Sequence, residues 1–147
     1  MGQQQILLIV LSVILVGIAI AVGISMFRAQ ARNSNLDGII SDLNNLGSIA
    51  YQYKIRPVSM GGGGGEYDNF DGENGYFANL PDEMKKTDNL SADDTYQALV
   101  TGEGAAAIVW IGGYNTTYEH GRRIRVDADG AMQVFSWDGT GNLDGTE

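Results

Sequence analysis

Few residues in this chain are equipped for chemistry, and their types limit what that chemistry can be. Cysteine is absent, which removes disulfides, thiolate metal sites and a cysteine nucleophile. His120 is the single histidine. It lies in Glu119-His120-Gly121 without a metal partner at ligand spacing, and reads as a turn histidine. No nucleophile, base and oxyanion donors stand in a catalytic arrangement, so a non-enzyme is expected. The one ligand-like pattern is Asp138, Thr140, Asn142 and Asp144, which sets oxygen donors at alternate positions as in the first half of a calcium loop. The twelfth position of such a loop, where a bidentate glutamate belongs, falls beyond Glu147. A solvated polar tail is the competing reading, and no cofactor other than calcium is suggested. Asp68, Asp71 and Glu73 form a second acidic cluster. Asn89-Leu90-Ser91 and Asn115-Thr116-Thr117 match the glycosylation sequon. The second lies between Tyr114 and Tyr118 in what reads as an exposed loop. The pentaglycine at 61–65 is followed by acids rather than Lys-Ser or Lys-Thr, so it is no phosphate loop.

The net charge of −9 is unevenly spread. Residues 1–56 carry a net +2, while residues 57–147 hold 16 acids against Lys85, Lys86, Arg122, Arg123 and Arg125, a net −11. Nucleic-acid binding needs a basic footprint, so no nucleic-acid partner is expected.

The elements that would carry these residues are organised around residues 6–27, ILLIVLSVILVGIAIAVGISMF. This stretch of 22 residues holds no charge and no proline. As a helix it spans about 33 Å, against roughly 30 Å for a hydrocarbon core. It is apolar on every side, so it belongs in lipid or in a helix bundle. A secretory signal is not expected, because the run is long, nothing basic precedes it and no small-residue cleavage site ends it. Leu36, Ile39, Ile40, Leu43, Leu46, Ile49, Ala50 and Tyr53 then recur at steps of three and four, which predicts an amphipathic continuation of the same helix. Asp37, Ser41, Asp42, Asn44, Asn45 and Ser48 fall on its polar face, and Gly38 and Gly47 mark close packing or slight bends. Arg56-Pro57 ends it. Residues 59–75 read as loop, with the pentaglycine a flexible hinge or a close-packed surface turn. Residues 80–84 suggest one helical turn. Ser91-Ala92-Asp93-Asp94 resembles a capping box and predicts a short helix through Tyr96, Leu99 and Val100, closed by Gly102. Residues 105–111 predict a central strand. Residues 122–126 and 132–137 predict a hairpin around Asp127-Ala128-Asp129-Gly130. Ile124, Val126, Met132 and Val134 would share the face turned to the long helix, leaving Arg123, Arg125, Phe135 and Trp137 on the other. The fold class expected is α+β, a long N-terminal helix packed on a small antiparallel sheet. The expected divisions are a polar lead-in (1–5), the helix (6–56) and an acidic head (57–147).

Gly2-Gln3-Gln4-Gln5 ahead of the apolar run, the amphipathic continuation over 36–53 and the strands over 105–137 together resemble a type IV pilin-like subunit. In architecture the resemblance covers nearly the whole chain; in motif it is confined to the N-terminus. It implies that N-terminal helices bundle in a filament core with the heads outside, and that an inner-membrane assembly machinery extracts the precursor. It also implies a prepilin peptidase cutting after Gly2, which would leave Gln3 first, though Met1-Gly2 is a short leader. Leu7 stands where many bacterial pilins carry a glutamate, so their charge-pairing device is missing. With no proline in the run, the chain is similar to archaeal-type filaments with a continuous core helix. Some pseudopilins hold calcium in a C-terminal loop, which supports Asp138, Thr140, Asn142 and Asp144 as ligands.

In such a core, Gly17, Ala21 and Gly23 would let helix backbones approach. The function expected is that of a structural subunit of an extracellular, cell-surface pilus-like filament. Its partners would be further copies of itself and, before assembly, the inner membrane. The alternative is a single-span membrane-anchored binding domain or minor pseudopilin. Arg28 and Arg32 follow the span, and the positive-inside rule would place the head in the cytoplasm; the filament reading requires it outside.

Overall fold

The computed structural model describes residues 2–145. Met1 of the expected polar lead-in and Thr146-Glu147 lie outside the described residues. The chain forms two compact units that divide between Ser34 and Asn35, and helix α1, Gly2–Ile55, contributes to both.

In the second unit, the part of α1 from Asn35 onward packs on an antiparallel sheet, an α+β arrangement. Ile39, Leu43, Leu46, Gly47, Ala50 and Tyr53 are buried, so the three-and-four spacing marks the covered stripe as expected. Gly47 is a contact point: a Cβ there would meet Met132 Sδ at 3.2 Å, Val126 Cγ2 at 3.3 Å and Ile124 Cδ1 at 3.5 Å. A side chain there would press on those three side chains, which would have to give by a few tenths of an ångström. Asp42, expected on the polar face, is half-buried and accepts hydrogen bonds from Thr87, Asn89 and Tyr96.

The helix stops before Pro57, and the pentaglycine folds back to finish it. Gly63, Gly64 and Gly65 donate N–H groups to the carbonyls of Tyr53 (2.8 Å), Arg56 (2.9 Å) and Lys54 (2.7 Å). Helix ends leave such carbonyls without intrahelical donors. The glycine run is therefore a close-packed cap and not a free hinge. A Cβ on Gly62 would collide with the Arg56 backbone.

The sheet has the order β1-β2-β3-β4, each strand antiparallel to the next. Strand β1 is Gln97–Thr101, β2 Ile108–Asn115, β3 His120–Val126 and β4 Met132–Trp137. A short helix, α2, spans Asp82–Lys85 where one helical turn was expected. The hairpin of β3 and β4 stands as expected. The short helix expected after Ser91 is instead strand β1. Gln97-Ala98-Leu99-Val100-Thr101 pairs residue for residue with 108–112, and this ladder outweighs a capping signal on a segment too short to hold a helix alone. The central strand also starts later than expected: Gly104–Ala106 forms a 3-10 turn and β2 runs on to Asn115.

Ile124 and Val126 are buried and Met132 is partly buried on the helix-facing side, while Val134 remains 40 % exposed at the sheet edge. On the other face Arg123 lies over the Trp110 ring at 5.2 Å, and Trp110 meets Phe135 at 5.6 Å. The core is completed by an aromatic group from the loops, in which Tyr67 and Phe70 are fully buried and Tyr53 packs on Phe70 and Tyr76.

Candidate functional site

In the first unit, the side chains of the apolar run stand in the open. Ile6 is 63 % exposed, and the other large apolar residues through Phe27 are between 50 % and 72 % exposed. Each such side chain gains about 1.5–3 kcal/mol on full burial. Sixteen of them at half to two-thirds exposure leave on the order of 20 kcal/mol uncollected, more than the roughly 5–15 kcal/mol that stabilises a whole domain. This surface therefore requires an apolar covering. The only polar side chains inside the run are self-satisfied: Ser12 Oγ donates to the Ile9 carbonyl and Ser25 Oγ to the Val22 carbonyl, each at 2.8 Å. The helix is long and apolar enough to cross a membrane. Gly17 and Gly23 have nothing within 4 Å of a would-be Cβ, and Ala21 is exposed, so all three offer open surface. Gly2 and Gln3 stand in the first turn of α1.

The two sequon asparagines come together in the second unit, in one polar cluster. Asn115 ends β2 and is only 3 % exposed, so it does not lie in an exposed loop. Its Nδ2 donates to the Asn89 carbonyl at 2.7 Å, and its Oδ1 accepts from Ser91 Oγ and the Tyr118 N–H. Ser91 also meets Thr117 Oγ1 at 2.9 Å. Asn89 Nδ2 donates to Asp42 Oδ2 at 2.8 Å, and its side chain lies against the bare backbone of Gly38. The Asn, Ser and Thr spacing that matches a sequon thus pins the loop before β1 to the helix and to the β2–β3 turn. A glycan on Asn115 would require Nδ2 to leave Asn89.

His120 belongs to the same cluster. It is buried in the first position of β3 rather than in a turn, with Nε2 3.0 Å from Asn35 Oδ1. Asn35 Nδ2 is already committed to the Asn89 carbonyl at 2.8 Å, so the imidazole Nε2 carries the donating hydrogen. Asp42 anchors the other side. Its Oδ2 accepts from Thr87 Oγ1 and Tyr96 OH as well as from Asn89. Burial pushes the Tyr96 phenol up, and the Asp42 charge adds to the effect.

The calcium candidates Asp138, Thr140, Asn142 and Asp144 lie on the segment that follows β4. Asp138 is exposed, and its Oδ1 accepts the Thr140 N–H at 3.0 Å, which lowers its carboxyl below the ordinary value. The carbonyls of Asn142 and Leu143 accept from Arg123 Nη1 at 3.4 and 2.8 Å. Among the described residues no three histidine, aspartate or glutamate side chains gather as a metal cluster. Nor is the segment a freely solvated tail. Leu143 is buried, seated over Gly112, where a Cβ would collide with it. Nothing in the polar composition of 138–147 singles out that anchor except its one leucine. In the second acidic cluster, Asp71 Oδ2 accepts the Val100 N–H and the Asp68 carbonyl accepts Tyr53 OH. Both are structural contacts.

The chain matches no protein-family model, no curated protein and no solved structure.

Proposed function

We propose that this chain is the repeating subunit of an extracellular pilus-like filament, held in the membrane by the apolar part of α1 before assembly and by helix–helix packing after it. The observation that carries the reading is the apolar surface of residues 6–27. It has no covering within its own unit and continues directly into the helix that forms the floor of the second unit's core. Lipid covers such a surface in a lone subunit, and the same surface of neighbouring copies covers it in a bundle. Exchanging lipid for protein gains little hydrophobic energy, so tight packing at Gly17, Ala21 and Gly23 supplies the attraction. The role is structural and invokes no catalytic residue.

The test is electron microscopy of material sheared from cells, with mass spectrometry of the subunit's N-terminus. Helical fibres of this chain support the reading. Fibres beginning at Gln3 add a peptidase cut after Gly2, and fibres keeping Gly2 exclude it. Protein confined to the membrane fraction as detergent-extracted monomer, with no fibres, overturns the reading in favour of a single-span anchored domain.

A further inference from the structure

The two edges of the sheet are treated differently. On β1, Val100 points its N–H away from β2 and donates it to Asp71 Oδ2 at 2.7 Å. A carboxylate therefore blocks that edge. Among the described residues, strand β4 has no such cover. The Asp127 N–H donates to the Ala131 carbonyl at 2.9 Å. Carried along the β3–β4 register, this alternation makes Arg125 with Gln133 and Arg123 with Phe135 the hydrogen-bonded pairs. Met132, Val134 and Ser136 consequently turn their N–H and C=O groups outward. Among the described residues, no backbone or side-chain group is hydrogen-bonded to them from that side. Met132-Gln133-Val134-Phe135-Ser136-Trp137 contains no charge and no proline, the usual devices that keep an edge strand from pairing. Val134 is 40 % exposed on it.

We propose that the β4 edge docks a second copy of this chain, β4 against β4, antiparallel about a two-fold axis through Val134. The strand is complementary to itself in that register. Val134 faces its own symmetry mate, and Met132 faces Ser136 at either end. All the outward groups find partners, giving about six backbone hydrogen bonds. No charged side chain of β4 is opposed by another. The other edge of a neighbouring copy is not an equivalent partner, because Asp71 occupies it. Such a contact uses the same patch on both copies and closes on itself, so it cannot propagate a polar filament. It joins two heads in opposite senses, whether or not the chain is built into filaments, and so does not rest on the filament reading.

The experiment uses the full chain in detergent micelles and exploits its lack of cysteine. Hydrogen-bonded antiparallel partners sit about 5.5 Å apart between Cα atoms, inside the range a disulfide bridges. Val134→Cys is expected to oxidise to a covalent dimer. Met132→Cys and Ser136→Cys should cross-link when mixed and remain monomeric alone, and Gln97→Cys on the blocked edge should remain monomeric. Val134→Pro removes an outward N–H that has no partner within the chain, so it should lose the dimer by light scattering with an unchanged circular-dichroism spectrum. If proline disturbs the fold, Val134→Lys sets two ammonium groups face to face and gives the same reading. The proposal is overturned by a monomeric parent chain or by equal cross-linking of Val134→Cys and Gln97→Cys. A dimer that survives both Val134 variants also overturns it, since association then runs through the apolar helix.

Discussion

At the scale of single residues, the polar side chains that look available for chemistry are spent on holding the head together. Lys54 is buried in the last turn of α1 and donates to the carbonyls of Ala105 (2.7 Å) and Ala128 (2.8 Å), with its ammonium 4.9 Å from the Tyr67 ring centre. It ties the helix end to the turn before β2 and to the β3–β4 hairpin. Lys54→Met keeps the bulk and leaves two carbonyls without a donor. It should cost about 2–3 kcal/mol, visible as a lower thermal midpoint. Tyr67, fully buried beside it, has its phenol pushed up from 10.0 to about 12 by burial first, then by Tyr51, Asp127 and Asp129. A raised folded-state value means that the stability tied to the neutral phenol is complete below pH 10.0 and is lost as the pH climbs through about 12. Phenolate absorbance followed alongside circular dichroism should show Tyr67 ionising only as the head unfolds; an early, independent ionisation would contradict its burial. The sequence displayed Asn89, Asn115 and Asp138 as candidate sites because their types are right for glycans and calcium. It did not display that Asn115 faces Asn89 or that Arg123 reaches the Asn142 and Leu143 carbonyls, because those meetings depend on strand register and on how the tail returns.

Elements were legible wherever one periodicity ran long enough to dominate. The 3.6-residue stripe from Leu36 to Tyr53 reported its buried face correctly, whereas the 132–137 alternation marked a strand but not its burial, since Val134 stays exposed at the sheet edge. Segment 91–102 was not legible. Tyr96, Leu99 and Val100 sit at helical spacing behind a capping pattern, yet Leu99 and Val100 join β1 once β2 offers a ladder, and pairing energy is invisible in a local window. The tail segment was likewise misjudged, because Leu143 is its only apolar anchor and the receiving notch, Gly112, lies in β2. Gly112→Val should eject that anchor, since a Cβ there collides with Leu143 and presses on Trp137. Hydrogen exchange across 138–145 should rise sharply while the four strands stay protected; unchanged exchange would show that the tail is held elsewhere.

On the scale of the whole molecule, the chain sets an acidic, self-sufficient head against a helical segment with no internal covering. Gly17→Leu separates the two. Nothing lies within 4 Å of a Cβ at that position, so the head should melt unchanged and membrane insertion should persist. Filament yield should fall strongly if Gly17 meets a neighbouring helix. Full yield would remove that glycine from the packing argument. A further check uses Arg28 and Arg32, which favour a cytoplasmic head by charge alone: protease added outside intact cells should digest the head of an exported subunit and spare that of a cytoplasmic one.

The strand order β1-β2-β3-β4 also has a kinetic consequence. Every strand pairs with its neighbour along the chain, so the meander closes through short loops and can form early. The helix stripe of Ile39, Leu43 and Leu46 leaves the ribosome first, but its sheet cover, Ile124, Val126 and Met132, is made more than seventy residues later. During synthesis that stripe must therefore wait uncovered until the sheet has been made. Substitutions in the β2–β3 hairpin should slow folding, whereas Leu46→Ala should chiefly hasten unfolding. Stopped-flow refolding in micelles distinguishes the two, and a folding rate governed by Leu46 would mean that the helix nucleates the head.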